Sequence, residues 1–179
     1  MHTRKRILDT VGQLLSQKKL SEIRVQDICS ACDISKSTFY LHFKDKYDAA
    51  NTYYYQSILM NGIILDDTAS YEERRLKLVQ FYQENSSAIL HLLHEGGQDS
   101  LLDFVIKEVH PISSSEMIKR YNVTPSEDTE CLLLAILMGQ ISCIQHWMES
   151  GCPFSAEKMR DMLLAMEEGT ILQYYEKVQ

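Results

Sequence analysis

Val25-Gln26-Asp27-Ile28-Cys29-Ser30-Ala31-Cys32-Asp33-Ile34-Ser35-Lys36-Ser37-Thr38-Phe39-Tyr40-Leu41-His42-Phe43-Lys44-Asp45-Lys46 is the stretch on which the reading turns. Val25 to Cys32 has the spacing of a short helix, with Val25, Ile28 and Cys29 facing inward. Asp33-Ile34-Ser35 reads as a turn, and the Ser35 hydroxyl can cap the helix that follows, Lys36 to His42. Phe43-Lys44 breaks the pattern. Asp45 then caps a longer helix from Lys46 to about Leu65, with Asp48 at its positive end and Tyr47, Ala50, Tyr54 and Ile58 on its apolar face. Upstream, Ile7, Leu8, Val11, Leu14 and Leu15 share one face of a helix over residues 4–17, joined to Val25 by the polar run Lys18 to Arg24.

Helix, short helix, tight turn and second short helix form a helix-turn-helix pattern. In that pattern the second short helix enters the major groove and the first braces it. Ile7, Val11, Leu14, Ile28, Ile34, Phe39 and Phe43 can make the small core that this arrangement needs. Lys36, Ser37, Thr38, Tyr40 and His42 are left to point outward. Lysine supplies charge for phosphates, and the hydroxyls and imidazole supply hydrogen bonds to phosphates or base edges.

The net charge of −7 over 179 residues hides an asymmetry. Residues 1–50 hold nine Lys/Arg against six Asp/Glu, a net of +3, whereas residues 51–179 hold nine against nineteen, a net of −10. A basic head on an acidic body suits a two-part protein whose head meets nucleic acid. With three prolines and seven glycines, the chain favours helices over a many-turned β architecture.

The remainder reads as five more helices, for about nine in all. Ser70-Tyr71-Glu72-Glu73 fits a capping box opening a helix to about Asn85. Ser87 to Glu95 is short and is stopped by Gly96-Gly97. Ser100 to about Tyr121 is helical with a break at Pro111. Thr124-Pro125-Ser126-Glu127 reads as a second capping box, opening a helix to Glu149 that Gly151 and Pro153 stop. Ser155 to about Tyr175 is the last helix.

The stretch Ile34 to Lys46, with its core Ser-x-Ser-Thr-Phe-Tyr-x-His-Phe-x-x-Lys, resembles the recognition-helix signature of TetR-type regulators. Thr3 to Asp9 resembles the start of their first helix, and Val25-Gln26-Asp27-Ile28 the start of their second. The resemblance covers roughly residues 3–55. It implies an all-α fold: a helix-turn-helix domain over residues 1–48 and a helical effector-binding and dimerisation domain over 49–179. It also implies a DNA-binding transcriptional regulator, a ligand-responsive repressor by default, acting as a homodimer on a palindromic operator. Carried over position by position, Thr38, Tyr40 and His42 would touch the DNA backbone, and Lys36 and Ser37 would open the recognition helix. Lys46 would meet a phosphate, and Arg4 would reach the backbone from the first helix. Three positions depart from the family pattern. Arg24 replaces the usual Thr or Ser cap, with phosphate contact as its alternative use. Asp33 stands at the usual turn glycine and Lys19 at the usual glycine after the first helix.

In the acidic body, Leu132 to Met138 is apolar all round its helix, and Met159, Met162, Leu163, Met166, Ile171 and Tyr174 form a stripe on the last one. Two long apolar helices suit a four-helix interface between two copies. Candidate walls for an effector pocket are Tyr54, Phe81, Phe104, Tyr121, Gln140 and Trp147, with Tyr82, Leu92 and Met117 near them; plain core packing is the alternative for each. His91/His94 and Cys143/His146 have a ligand-pair spacing, but no metal and no cofactor are expected beyond an unknown small-molecule effector. No phosphate-cradling loop, nucleophile elbow or His-Glu-x-x-His motif suggests an enzyme. No run of about 18 apolar residues suggests a membrane span. With no signal-peptide core after Arg6, the chain reads as cytoplasmic with reduced cysteines. The alternative reading is an interaction module that keeps the helix-turn-helix without binding DNA, which the acidic body and the missing cap permit.

Overall fold

The structure is a computed structural model describing residues 2–60, 63, 66, 68–95 and 99–178. Its helices are α1 (His2–Leu15), α2 (Val25–Cys32), α3 (Lys36–Tyr40), α4 (Lys46–Met60), α5 (Tyr71–Glu84), α6 (Ser86–Leu93), α7 (Leu101–Phe104), α8 (His110–Tyr121), α9 (Glu127–Glu149) and α10 (Ala156–Val178). A 3-10 turn, Leu20–Glu22, follows α1, and a π-helical turn, Val105–Val109, joins α7 to α8. Among the described residues every regular element is helical. The helix expected to run to Leu65 ends at Met60, and Ile63, the one described residue of residues 61–65, is a bend; the Gly96-Gly97 stop lies outside the described residues.

The chain divides into two compact units, residues 1–65 with 84–104, and residues 66–83 with 105–179. In the first, α1 packs on α2, α4 and α6. Ile7, Leu8, Val11 and Leu15 of α1 meet Ile28, Cys29, Phe39, Phe43, Ala50 and Ile58 in a buried core. Gly12 lets α1 approach α4 closely, since a Cβ there would lie 2.5 Å from the Tyr53 ring.

In the second unit α9 packs on both α8 and α10. Met117, Leu133, Ile136 and Ile171 form one core cluster, flanked by Ile118, Tyr121 and Val123. The break expected at Pro111 is a π-helical turn just before it, with Pro111 in the first turn of α8. Proline lacks an N–H and its ring collides with the preceding turn, and the wider π turn absorbs both. The capping box expected at Thr124 sits two residues later. Ser126 is the cap, its hydroxyl accepting from the Thr129 N–H at 3.1 Å. Pro125 therefore lies outside the helix rather than in its first turn.

α9 is long and apolar enough to cross a bilayer, contrary to the expectation from its sequence. Its Leu133, Ile136, Ile144 and Trp147 are buried in the second unit, as in the core helix of a packed domain. The stripe expected on α10 is also rotated. Met159, Leu163, Glu167 and Ile171 are buried, while Met162 is 44% exposed.

Candidate nucleic-acid interface

The recognition helix is built from local rules. Ser35, in extended conformation, caps α3: its hydroxyl accepts from the Thr38 N–H at 3.1 Å and bonds the Ser37 and Thr38 hydroxyls at 2.8 and 2.9 Å. Asp33 adopts the left-handed conformation, φ 50° and ψ 55°, where the family's glycine would stand. The Ile34 N–H then reaches back to the Cys29 carbonyl at 3.0 Å and closes the end of α2. Lys19 is ordinary extended backbone at φ −62°, so that position does not require glycine.

At the start of α2 the Asp27 carboxylate accepts the Arg24 backbone N–H at 2.9 Å. The Arg24 side chain has no acceptor to return to the helix, so only this half of the box is made. That backbone hydrogen bond, helped by Lys18 at 3.3 Å, holds the Asp27 carboxyl below its ordinary value. Arg24 itself is exposed.

Phe39 is fully buried, and Phe43 packs 5.8 Å from it, ring to ring. These two rings fix the opposite face of α3 outward. Lys36 and Ser37 are exposed, Tyr40 is 55% exposed and edge-on to Phe39, and Thr38 and His42 are half-buried. The Arg4 guanidinium lies 5.1 Å from the Phe43 ring, which places it beside the link between α3 and α4. Lys46 has a different position from a free surface charge. Its ammonium donates to the carbonyls of Leu20 (2.7 Å), Ile23 (2.9 Å) and Ser21 (3.3 Å). The Ser21 N–H donates to the Glu95 carboxylate at 2.9 Å, and the His91 Nδ1–H to the Leu15 carbonyl at 2.7 Å. The loop after α1 is thereby tied to both α4 and α6.

The six effector-pocket candidates divide between the units: Tyr54 and Phe104 in the first, Phe81, Tyr121, Gln140 and Trp147 in the second. Phe104 stacks edge-on with Tyr55, and the buried Trp147 donates to the Phe154 carbonyl at 3.1 Å. Gln140 is buried in a polar network that the sequence reading missed. Its Nε2 donates to the Glu167 carboxylate at 2.7 Å, and its Oε1 accepts from Arg75 at 2.7 Å. Arg75 also pairs with Glu167 at 2.8 Å, and the Tyr71 hydroxyl donates to Glu167 at 2.9 Å. Burial pushes the Tyr71 phenol well above the usual tyrosine range. The signal was present in sequence: Glu167 falls four residues from both Leu163 and Ile171, on the buried face. A separate cleft of about 310 Å³ is lined by His110, Pro111, Ser114, Ile118, Pro125 and Glu130, among others. Among the described residues no group of three or more His, Cys, Asp or Glu could hold a metal.

A small head that turns one polar helix face outward, on a chain whose other described elements are all helical, is the construction of a helix-turn-helix DNA-binding protein. Residues 7–48 match the model of bacterial regulatory proteins of the tetR family, and residues 70–169 match that of a transcriptional regulator C-terminal region. The chain belongs to the TetR family and is a DNA-binding transcriptional regulator.

Solved structures agree in fold. A tetR-family transcriptional regulator from Streptomyces coelicolor superposes with a TM-score of 0.69 at 15% identity, over 96% of this chain and 81% of that one. NalD, the secondary repressor of the MexAB-OprM multidrug efflux pump in Pseudomonas aeruginosa, gives 0.65 at 16%, over 94% and 96%. The fatty acid degradation regulator FadR from Bacillus halodurans gives 0.61 at 14%, over 93% and 95%. Comparison with curated protein sequences gives no match.

Proposed function

We propose that the chain is a cytoplasmic, non-enzymatic repressor that binds a short palindromic operator as a homodimer and releases it when a small molecule binds the helical body. The observation that carries this reading is the outward face of α3, held against Phe39 and Phe43 and lined by Lys36, Ser37, Thr38, Tyr40 and His42. These side chains meet phosphates and base edges, with Arg4 and Arg24 flanking them. Lys46 supports the same face by holding the 3-10 turn. Two such helices would enter successive major grooves about 34–36 Å apart.

The dimer interface is the outward side of α9 and α10. Leu134, Met138 and Ile141 are half-buried there, and Met162 and Leu172 are 44% and 46% exposed. The repressor output follows NalD, which is described as a repressor. Because binding is linked, operator must weaken effector binding by the factor that effector weakens operator binding.

The test is selection of genomic DNA fragments by the purified protein at near-physiological salt. One enriched short inverted repeat is the expected result. A folded, dimeric protein that enriches nothing sinks the proposal.

A further inference from the structure

Leu41 is 82% exposed, more than any other large apolar side chain among the described residues. Its N–H donates to the Ser37 carbonyl at 3.1 Å, and its backbone is right-handed helical, so the turn of α3 runs on through it. One turn from Ser37, it shares the outward face with Ser37 and Tyr40, opposite the buried Phe39. A lone exposed leucine on a globular surface needs no explanation. This one stands on the face that loses its water when the helix enters a groove.

A leucine there offers no hydrogen bond. A base donor or acceptor brought opposite it would be dehydrated without compensation. The C5-methyl of thymine is the one apolar group on the major-groove edge, and it gains from the same burial. The composition of α3 sharpens the point. Lys36-Ser37-Thr38-Phe39-Tyr40 contains no Asn or Gln to read adenine through paired hydrogen bonds, and Lys36 is its one side chain able to pair with guanine. Apolar contact therefore adds a discrimination, for the thymine methyl, that Lys36 and the hydroxyls of this face cannot supply.

We propose that Leu41 is a specificity-determining residue that reads a thymine methyl in each operator half-site. The inference rests on the reading that α3 enters the major groove. It is tested on the operator recovered by genomic selection, with each thymine replaced in turn by deoxyuridine, which lacks only the methyl. Affinities are measured for the full-length protein, Leu41→Ala and Leu41→Met.

One thymine per half-site should be sensitive in the parent, its loss weakening binding about fourfold, the worth of one buried methyl-sized group. Leu41→Ala, which loses the contact in both half-sites, should bind thymine DNA about fifteenfold more weakly and no longer sense deoxyuridine at either position. Leu41→Met should keep the sensitivity. Neither variant should change the salt dependence, since no phosphate partner is lost. Leu41 packs on little of the protein, so circular dichroism and melting should be unmoved. If no thymine is sensitive, or if Leu41→Ala keeps the parent's pattern, the inference is overturned while operator binding stands. If no fragment is enriched at all, the major-groove reading falls and this inference with it.

Discussion

Lys46 shows how a side chain placed by a motif can take a structural role. The resemblance assigns it to a phosphate, but an ammonium has three protons and each finds a carbonyl, on Leu20, Ser21 and Ile23. Lys46→Ala removes this shared donor, leaving the Leu20 carbonyl its Ile23 N–H and the Ser21 carbonyl to solvent, and should cost about 1 kcal/mol, read as a lower thermal midpoint. DNA binding should weaken with the slope of log affinity against log salt nearly unchanged. A slope reduced by about one would instead mark a phosphate partner. His110 offers a second test at this scale. Burial lowers its pKa from the ordinary 6.5, partly opposed by Glu130 at 3.8 Å. The folded chain therefore favours the neutral imidazole. As pH falls from 6.5 toward the depressed value, the unfolded chain binds more protons, and stability should drop across that window. Melting curves of His110→Gln should lose that part of the pH dependence; a parent profile in the variant would assign it to another group.

At the scale of the element, α10 is decided by one carboxylate. Glu167 is fully buried, with Arg75, Gln140 and Tyr71 around it. Such a pair contributes little net stability compared with apolar packing, but breaking it leaves an uncompensated buried charge. Glu167→Ala should cost about 3–5 kcal/mol in urea unfolding, and adding Arg75→Met should recover part of that loss. Equal stability of the two variants would deny the coupling. The helix caps were legible because they are chemistry between near neighbours. Ser35, Asp45 and Ser70 each cap as their sequences predict, the Asp45 carboxylate accepting from Tyr47 and Asp48 at 2.9 Å. Sequence is ambiguous where two caps compete within three residues, as at Thr124 and Ser126, or where a proline can be met by more than one backbone adjustment, as at Pro111.

For the whole molecule, the consequential prediction is assembly. Met162→Arg with Leu172→Arg should turn the proposed dimer into a monomer in sedimentation and weaken operator binding about a hundredfold or more, because two linked contacts become independent. A dimer that persists in this variant would move the interface elsewhere. The helical class, the helix-turn-helix and its outward polar side chains were determined by the sequence itself, because periodicity, caps and turn residues act over a few positions along the chain. Tertiary structure alone decided which side of α10 turns inward, and hence that Glu167 lies buried while Met162 does not. It also decided that Lys46 faces three carbonyls, and that Leu41 stands at 82% exposure on the outward side of the turn after α3. Those outcomes depend on partners 20 or more residues away, or on the rotation of a helix against its neighbours. A stripe with apolar residues on two sides fits either rotation until packing selects one.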